Sequence, residues 1–205
     1  MRALILVDLQ YDFCPGGALA VSRGDETLAV ARRVMPYFQT VVATQDWHPA
    51  SHESFAPQHP GKRPGEMIEL AGLPQVLWPP HCVQGTHGAE LHADLPRAKL
   101  TEVFPKGTDP AIDSYSGFFD NARRKPTGLE RWLRGHGITQ VYVMGLATDY
   151  CVKATALDAQ DLGFETWVIE DGCRAVELAP GDGERALAEM RAAGITLVES
   201  GSIGS

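Results

Sequence analysis

Val141-Tyr-Val-Met-Gly-Leu-Ala-Thr-Asp-Tyr-Cys151 is the stretch that decides the predicted fold. It begins as a short apolar run with β-branched residues, which is typical of a buried strand. Gly145 ends the strand, and a helix is predicted from Cys151 onward, with Thr148 or Asp149 as N-cap. Backbone N–H groups at a helix N-terminus would lower the pKa of the Cys151 thiol and could hold an oxyanion. On this motif alone, a small buried apolar cysteine is an equally good interpretation.

The alternation of strands and helices continues on both sides of this stretch. The predicted strands are 3–7, 40–44, 100–104, 141–144, 166–169 and 195–198, and the predicted helices are 25–38, 129–134, 151–162 and 182–193. Strands that alternate with helices indicate a doubly wound α/β fold, with right-handed crossovers and helices on both faces of the sheet. We therefore expect one domain, residues 1–205, around a six-stranded, mainly parallel, Rossmann-like sheet in three layers.

Residues from about 46 to 99 interrupt the alternation. This segment is rich in proline, glycine and histidine and shows little periodicity. A loop of this length inside a compact domain is usually functional or disordered, and closing it carries an entropic cost. We predict a long loop insertion that is held in place by a bound group.

Composition excludes several classes of partner. The 205 residues carry a formal net charge of −8, which disfavours nucleic acid and anionic membranes. The sequence contains no long apolar run and no recognisable signal peptide, so we expect a cytoplasmic protein. Its four cysteines are scattered without a CxxC pair and are expected to be free thiols. The sequence leaves open whether the chain forms a homo-oligomer.

Polar residues follow four of the predicted strands. Asp8, Asp46 and Lys106 come after the first three strands, and Cys151 follows the fourth. In doubly wound sheets, ligands bind beyond the carboxyl ends of the strands, where the strand order reverses. We therefore expect these four side chains to meet at one edge of the sheet.

Asp46, His48 and His81 are candidate ligands of one metal ion. Asp46 and His48 are alternate residues of an extended segment, so their side chains point the same way, and His81 can supply a third donor. Two imidazoles and one carboxylate suit one divalent ion, with Zn²⁺ preferred over Fe²⁺ or Mn²⁺. His52 is an optional fourth ligand or a hydrogen-bonding neighbour. The alternative is that these loop histidines are merely solvated.

Asp8, Lys106 and Cys151 form a candidate catalytic set of base, cationic orienting group and nucleophile. From reference pKa values, moving the thiol proton to an aspartate costs about 6 kcal/mol. A buried carboxyl and a nearby ammonium would reduce that cost. The alternative for Asp8 and Lys106 is a buried ion pair without a catalytic role.

Six motifs are spread over nearly the whole chain: Asp8-x-Gln-x-Asp-Phe, Asp46-Trp-His-Pro-x-x-His-x-Ser-Phe, Trp78-Pro-x-His-Cys-Val, Lys106-Gly, Asp113-x-Tyr-Ser-Gly-Phe and Gly145-x-Ala-Thr-Asp-x-Cys-Val. With these motifs the chain resembles the nicotinamidase/pyrazinamidase branch of the isochorismatase-like cysteine hydrolases. This resemblance implies hydrolysis of nicotinamide to nicotinate and ammonia, and of pyrazinamide to pyrazinoate, in NAD salvage.

The resemblance also implies a role for each site residue. Cys151 would be the nucleophile, Asp8 the general base and acid, and Lys106 the residue that positions them. Asp46, His48 and His81 would hold the metal ion. The nicotinamide ring would contact Phe13, Trp78 and Tyr115, and a cis peptide at Leu146–Ala147 would direct the N–H groups of Ala147 and Cys151 toward the oxyanion.

Three other functions remain open from the sequence. A related cysteine amidase could use the same catalytic set on another small amide or carbamoyl substrate. A metal-bound hydroxide could replace Cys151 as the nucleophile. The chain could also be a metal-binding or redox-sensing module in which Cys151 is oxidised.

Overall fold

A six-stranded sheet and a separate two-stranded hairpin contain the strands of residues 1–204, the part of the chain that the computed structural model describes. The strands are β1 (Arg2–Val7), β2 (Thr40–Asp46), β3 (Met67–Leu70), β4 (Leu73–Val76), β5 (Glu102–Lys106), β6 (Gln140–Leu146), β7 (Glu165–Arg174) and β8 (Thr196–Val198). The α-helices are α1 (Glu26–Val34), α2 (Leu129–Gly135), α3 (Lys153–Asp161) and α4 (Asp182–Ala192). One π-helical turn covers Thr148–Val152, and single 3₁₀ turns cover Tyr11–Phe13, Met35–Tyr37, Ala56–Gln58, His87–Ala89, Arg97–Lys99 and Ser200–Ser202.

The main sheet has the order β5-β2-β1-β6-β7-β8, and every pair of neighbours in it is parallel. Successive strands are added outward on one side from β1 to β5, and on the other side from β6 to β8. The order therefore reverses between β1 and β6, which is where doubly wound sheets bind ligands. The predicted six-stranded α/β sheet is confirmed.

Both faces of the sheet are covered. Leu4, Ile5 and Leu6 are consecutive in β1 and all fully buried, although alternate side chains of a strand point to opposite faces. Burial on both faces explains why the central strands are continuous apolar runs in the sequence.

Proline accounts for two differences from the predicted boundaries. The first helix was predicted to reach residue 38, but α1 ends at Val34 and a 3₁₀ turn containing Pro36 follows, because proline lacks the N–H that would continue the helix. The third strand of the main sheet was predicted over 100–104 but runs over Glu102–Lys106. It lies at the edge of the sheet, where Pro105 is tolerated.

The segment between β2 and β5 has more structure than the sequence indicated. The antiparallel hairpin of β3 and β4 lies within this segment. Leu91 of the segment forms an isolated bridge with Gln10 in the first loop of the chain, and His48 and Val83 form another bridge within the segment. Among the described residues, no helix has both the length and the apolar surface needed to cross a membrane.

Candidate active site and metal centre

Lys106 contacts the other three polar residues predicted at the carboxyl edge of the sheet. Its Nζ lies 2.9 Å from Oδ2 of Asp8, 2.7 Å from Oδ1 of Asp46 and 3.4 Å from Sγ of Cys151. It also donates to the backbone carbonyl of Ser114 at 2.9 Å. An ammonium group has three hydrogens, so these four acceptors share them. The predicted meeting of Asp8, Asp46, Lys106 and Cys151 is confirmed, but the contact of Lys106 with Asp46 was not predicted.

Lys106 and Asp46 form a buried ion pair. Burial alone would lower the pKa of Lys106, but the charges of Asp46 and Asp8 outweigh it and hold that pKa well above its ordinary value. Burial would likewise raise the pKa of Asp46, but His48 and Lys106 outweigh it and hold that pKa well below its ordinary value. The ammonium and this carboxylate are therefore both charged at neutral pH.

Asp8 has the environment of a base. Burial raises the pKa of its carboxyl above the ordinary value, against the opposing effect of Lys106. The hydroxyl of Thr44 donates to Oδ1 of Asp8 at 2.6 Å, and the backbone N–H of Asp8 donates to the same hydroxyl at 3.2 Å. The carboxyl is therefore held between Thr44 and Lys106, beside Cys151.

The thiol of Cys151 is buried, and this overturns one prediction. Burial raises the pKa of the thiol well above its ordinary value, which Lys106 only partly offsets. The charges of Asp8, Asp46 and Asp113 raise it further. The prediction that a helix N-terminus lowers this pKa is wrong, because desolvation and three carboxylates outweigh it. The thiol therefore needs a base, and Asp8 lies against the same ammonium.

The turn that carries Cys151 also differs from the prediction. Cys151 lies in the π-helical turn Thr148–Val152 rather than in the first turn of α3, and such turns are frequent at functional sites. Asp149 does not cap this helix; its carboxylate accepts the backbone N–H groups of Val176 and Glu177, each at 2.9 Å. The peptide bond Leu146–Ala147 is cis, as the resemblance implies.

Asp46, His48 and His81 offer three donor atoms within 4.8 Å of one another. Nδ1 of His48 lies 2.8 Å from the carbonyl of Gly107, and Nδ1 of His81 lies 2.8 Å from the carbonyl of Pro79. A carbonyl only accepts, so each Nδ1 carries a hydrogen and each Nε2 is the atom that can bind a metal. Burial would lower the pKa of His48, but Asp46 outweighs it and raises that pKa to about 9, so a metal ion would displace a proton from Nε2 of His48. The two Nε2 atoms lie 3.0 Å and 3.4 Å from Oδ2 of Asp46. The three residues therefore fit a metal ion, because this pattern of ring hydrogen bonds is typical of metal-ligating histidines.

Gly107 makes room for the ring of His48. A Cβ atom at this position would lie 2.4 Å from Cε1 of His48, and the φ of Gly107 is +64°. Only glycine combines that backbone conformation with such a close approach. The Lys106-Gly107 pair thus places an ammonium on one side of Asp46 and leaves space for an imidazole on the other.

His52 lies next to this cluster. Its ring centroid is 4.3 Å from that of His48, its Nδ1 lies 2.7 Å from Oγ of Ser54, and its buried Nε2 has no hydrogen-bond partner. Burial, followed by the charge of His48, lowers the pKa of His52 to about 4. His52 is therefore neutral at pH 7. The backbone N–H of Ser54 donates to Nδ1 of His52 at 3.2 Å, so the hydrogen of the neutral ring is on the buried Nε2. His48, His52 and Asp113 form a second group with metal-ligand spacing.

A cavity of about 360 Å³, including its mouth, connects Cys151 to two of the metal donors, Asp46 and His81. All four predicted substrate contacts also line it: Phe13, Trp78, Tyr115 and Ala147. The predicted ring pocket therefore opens onto the thiol of Cys151.

Four residues of this cavity were not predicted: Leu19, Asp113, Tyr150 and Val176. The ring of Tyr150 packs edge-on against those of Trp78 and Tyr115, with centroids 4.9 Å and 5.3 Å away. Its position directly before Cys151 was the signal for it, and Asp113 lies in a quoted motif. For Leu19 and Val176 the sequence offers no signal, because separate loops bring them to the cavity.

Comparison with known proteins agrees with this fold. The family model of the isochorismatase domain matches residues 2–202, and the chain belongs to the isochorismatase family. The nicotinamidase of Escherichia coli is 56% identical over 200 residues, covering 96% of this chain and 93% of that protein. The predicted nicotinamidase/pyrazinamidase branch is thereby confirmed.

Two solved structures show the same fold over almost the full length. A nicotinamidase/pyrazinamidase of Acinetobacter baumanii is 47% identical with a TM-score of 0.95, covering 98% of this chain and 96% of that one. The pyrazinamidase of Pyrococcus horikoshii, solved in complex with zinc, is 40% identical with a TM-score of 0.78 and covers 97% of this chain and 98% of that one. Together with the donor cluster, the second structure supports a metal ion in this chain.

Proposed function

We propose that this chain hydrolyses nicotinamide to nicotinate and ammonia, and pyrazinamide to pyrazinoate, through a thioester on Cys151. The observation that carries the proposal is the single cavity that Cys151 shares with Phe13, Trp78 and Tyr115 and with two metal donors, Asp46 and His81. A flat heteroaromatic ring suits the aromatic lining, and its amide group would then lie at Cys151. The reaction would serve NAD salvage.

Asp8 would accept the first proton. Sγ of Cys151 attacks the amide carbon while its proton passes to the carboxylate of Asp8, and a tetrahedral oxyanion forms. Burial raises the pKa of Asp8, which makes its carboxylate a stronger base. Burial also raises the pKa of the Cys151 thiol, so the thiol loses its proton only as the attack proceeds. Lys106 contacts both and stabilises whichever is charged. The backbone N–H groups of Ala147 and Cys151 would donate to the oxyanion.

The same carboxyl completes the reaction. Asp8 returns its proton to the amide nitrogen, the C–N bond breaks, and ammonia leaves a thioester on Cys151. A water molecule then attacks the thioester carbon while Asp8 accepts one of its protons. Breaking the C–S bond releases the carboxylic acid, and the sulfur regains a proton from Asp8. Atoms and protons thus balance over the cycle.

Asp46, His48 and His81 would hold one divalent ion, for which we propose Zn²⁺. His52 would be a hydrogen-bonding neighbour of this site, because the hydrogen of its neutral ring is on Nε2. A mixed imidazole and carboxylate set suits zinc, and iron or manganese can occupy the same donors. When bound, the ion would supply a Lewis acid for the ring nitrogen of the substrate, directly or through a bound water, and so would position the substrate and not form the nucleophile.

Ammonia release by the purified protein tests the proposal. We expect nicotinamide and pyrazinamide to be hydrolysed, most of the activity to be lost after treatment with a chelator, and zinc to restore it. Turnover that a chelator leaves unchanged would favour the related cysteine amidase acting on another small amide or carbamoyl substrate. The absence of ammonia from any amide would favour the redox-sensing module.

Replacing Thr44 by valine tests the role of Asp8 through pH. The base must be ionised to accept the thiol proton, so kcat/KM falls as pH drops through the pKa of Asp8, which burial has raised. The Thr44 hydroxyl stabilises the carboxylate and lowers that pKa. We therefore expect Thr44→Val to move the acid limb of the kcat/KM profile to higher pH. In the control Thr166→Val, a buried hydroxyl that donates to the carbonyl of Phe164 is removed, and the limb should stay in place.

Two further proposals concern the chain as a whole. A cytoplasmic location is supported by its four cysteines, which are all free, since thiols stay reduced in that compartment. A single domain over residues 1–205 is supported by the sheet, because β1 near one end of the chain and β8 near the other both belong to it.

A further inference from the structure

The loop after β1 contacts both segments that carry metal donors. Asp8 begins this loop, and Gln10 and Asp12 follow it at alternate positions. We propose that Gln10 and Asp12 are positioning residues of the metal centre, which fix Asp46, His48 and His81 in the arrangement that binds the ion. This inference rests on the proposed function and deepens it, because it assigns two residues of the first loop to metal affinity.

Gln10 holds Asp46 through its backbone. Oε1 of Gln10 accepts the N–H of Asp46 at 2.8 Å, and Nε2 donates to the carbonyl of Asp46 at 2.8 Å. A second bond from Nε2 reaches the carbonyl of Ala89 at 2.8 Å, and the Gln10 side chain is fully buried. The amide of Gln10 therefore pairs with both polar groups of Asp46, as a neighbouring strand would.

The main sheet does not provide hydrogen-bond partners for the backbone of Asp46 on the side of β1, so the Gln10 side chain provides them. β1 pairs with β2 only as far as Ala43 and ends at Val7, whereas β2 continues to Asp46. On its other side, Asp46 is in register with Lys106 of β5. Without Gln10, the N–H and carbonyl of Asp46 that face β1 would be buried without partners, and such groups are rare in folded proteins.

Asp12 holds the segments that carry the two histidines. Its Oδ2 accepts the N–H of Cys82 at 2.7 Å, and Cys82 directly follows His81. The φ of Cys82 is +45°, a left-handed conformation that is uncommon outside glycine. The carbonyl of Cys82 in turn accepts the N–H of His48 at 3.0 Å. One residue held by Asp12 thus links the backbones of both histidine segments.

The carboxylate of Asp12 has little freedom to move away from Cys82. Its Oδ1 accepts the N–H of Ala18 at 3.1 Å. On the other side, a Cβ atom at Gly88 would lie 2.3 Å from the carboxylate, so the Gly88 backbone packs directly against it. Each carboxylate oxygen of Asp12 therefore accepts a backbone N–H, and the first loop fixes the position of Cys82 through Asp12.

Zinc affinity of the metal-free protein measures this role directly. Gln10→Met removes the three bonds of the amide in a side chain of similar size, and Asp12→Asn leaves only one acceptor for two N–H groups. The control Gln45→Met removes a bond to the same Ala89 carbonyl, also 2.8 Å, without touching the backbone of Asp46. In competition with a chromophoric zinc chelator, we expect Gln10→Met and Asp12→Asn to bind zinc about 10- to 100-fold more weakly, as is typical when partners of metal ligands are removed. Gln45→Met should bind zinc like the unaltered protein.

Circular dichroism and Tm of each metal-free variant separate positioning from folding. Wild-type zinc affinity in a folded Gln10→Met or Asp12→Asn variant would overturn the assignment of that residue, and so would an equal loss in Gln45→Met. If Gln10→Met does not fold, Asp12→Asn decides alone. Ammonia release by the unaltered protein is measured in parallel, so failure of the proposed amidase function shows there and leaves the affinity result intact.

Discussion

Replacement of Cys151 by alanine is expected to lower the hydrolysis of nicotinamide by at least about 10⁴-fold, since loss of the nucleophile in related covalent mechanisms removes most of the rate enhancement. The physical reason is that Cys151 supplies the only thiol among the described residues that line the cavity. The Sγ atom contacts Lys106, and the side chain is almost fully buried, so alanine removes the reacting atom with little change to the surface. Ammonia release under saturating substrate, with the protein loaded with zinc, measures the effect.

Cys173→Ala is the matched control. Cys173 is also a buried free thiol, but it donates to the carbonyl of Ile169 and does not line the cavity. We expect this variant to retain its activity when it is folded. Substantial turnover by Cys151→Ala would contradict the thioester mechanism and favour a metal-bound hydroxide as the nucleophile. Mass spectrometry of protein quenched during turnover adds a second test, because an acyl adduct should appear on Cys151 only.

Lys106→Met is expected to have the second largest effect, on both stability and activity. It leaves the buried carboxylates of Asp8 and Asp46 without their shared cation. Removing one partner of a buried ion pair typically costs about 3–5 kcal/mol, so the free energy of unfolding in a denaturant titration should fall by about that amount. Activity should fall by about 10²- to 10⁴-fold, the usual size of an acid–base contribution, because Lys106 holds the general base Asp8 in place.

An exposed lysine provides the comparison for Lys106. Lys62 pairs with Glu66 at 3.1 Å, and both side chains are about two-fifths exposed. Exposed pairs contribute little because water and salt screen them, so Lys62→Met should leave both the unfolding transition and the activity unchanged. A Lys106→Met variant as stable as the unaltered protein would show that the ammonium does not compensate the two carboxylates.

The fold could be predicted because the spacing of apolar residues within one strand or helix can be read from that segment of the sequence alone. Continuous apolar runs mark strands that are buried on both faces, and the spacing of Leu28, Ala31 and Val34 marks a helix with one buried side. Boundaries were less accurate where Pro36 and Pro105 acted, since the effect of a proline depends on whether its missing N–H had a partner. The β3–β4 hairpin was not predicted, because its short strands lack a clear alternation of buried and exposed residues.

The sequence by itself determined the residue types and their order along the chain. Asp8, Asp46, Lys106 and Cys151 each follow a predicted strand, and parallel strands bring their carboxyl ends to one edge, so their meeting could be predicted. The metal donors could be proposed for a similar reason, since Asp46 and His48 are alternate residues of an extended segment.

Only the tertiary structure decided how these groups are charged and held. The pKa of Cys151 depends on burial and on carboxylates from distant parts of the chain, so the local helix start was a poor guide to it. Three contacts of the site join segments that are far apart in the sequence: the ion pair of Lys106 with Asp46, the hydrogen bonds of Gln10 with Asp46, and the hydrogen bond of Asp12 with Cys82. Such contacts leave no periodic signal in a single sequence, because they depend on how loops fold against one another and not on the conformation of either loop alone.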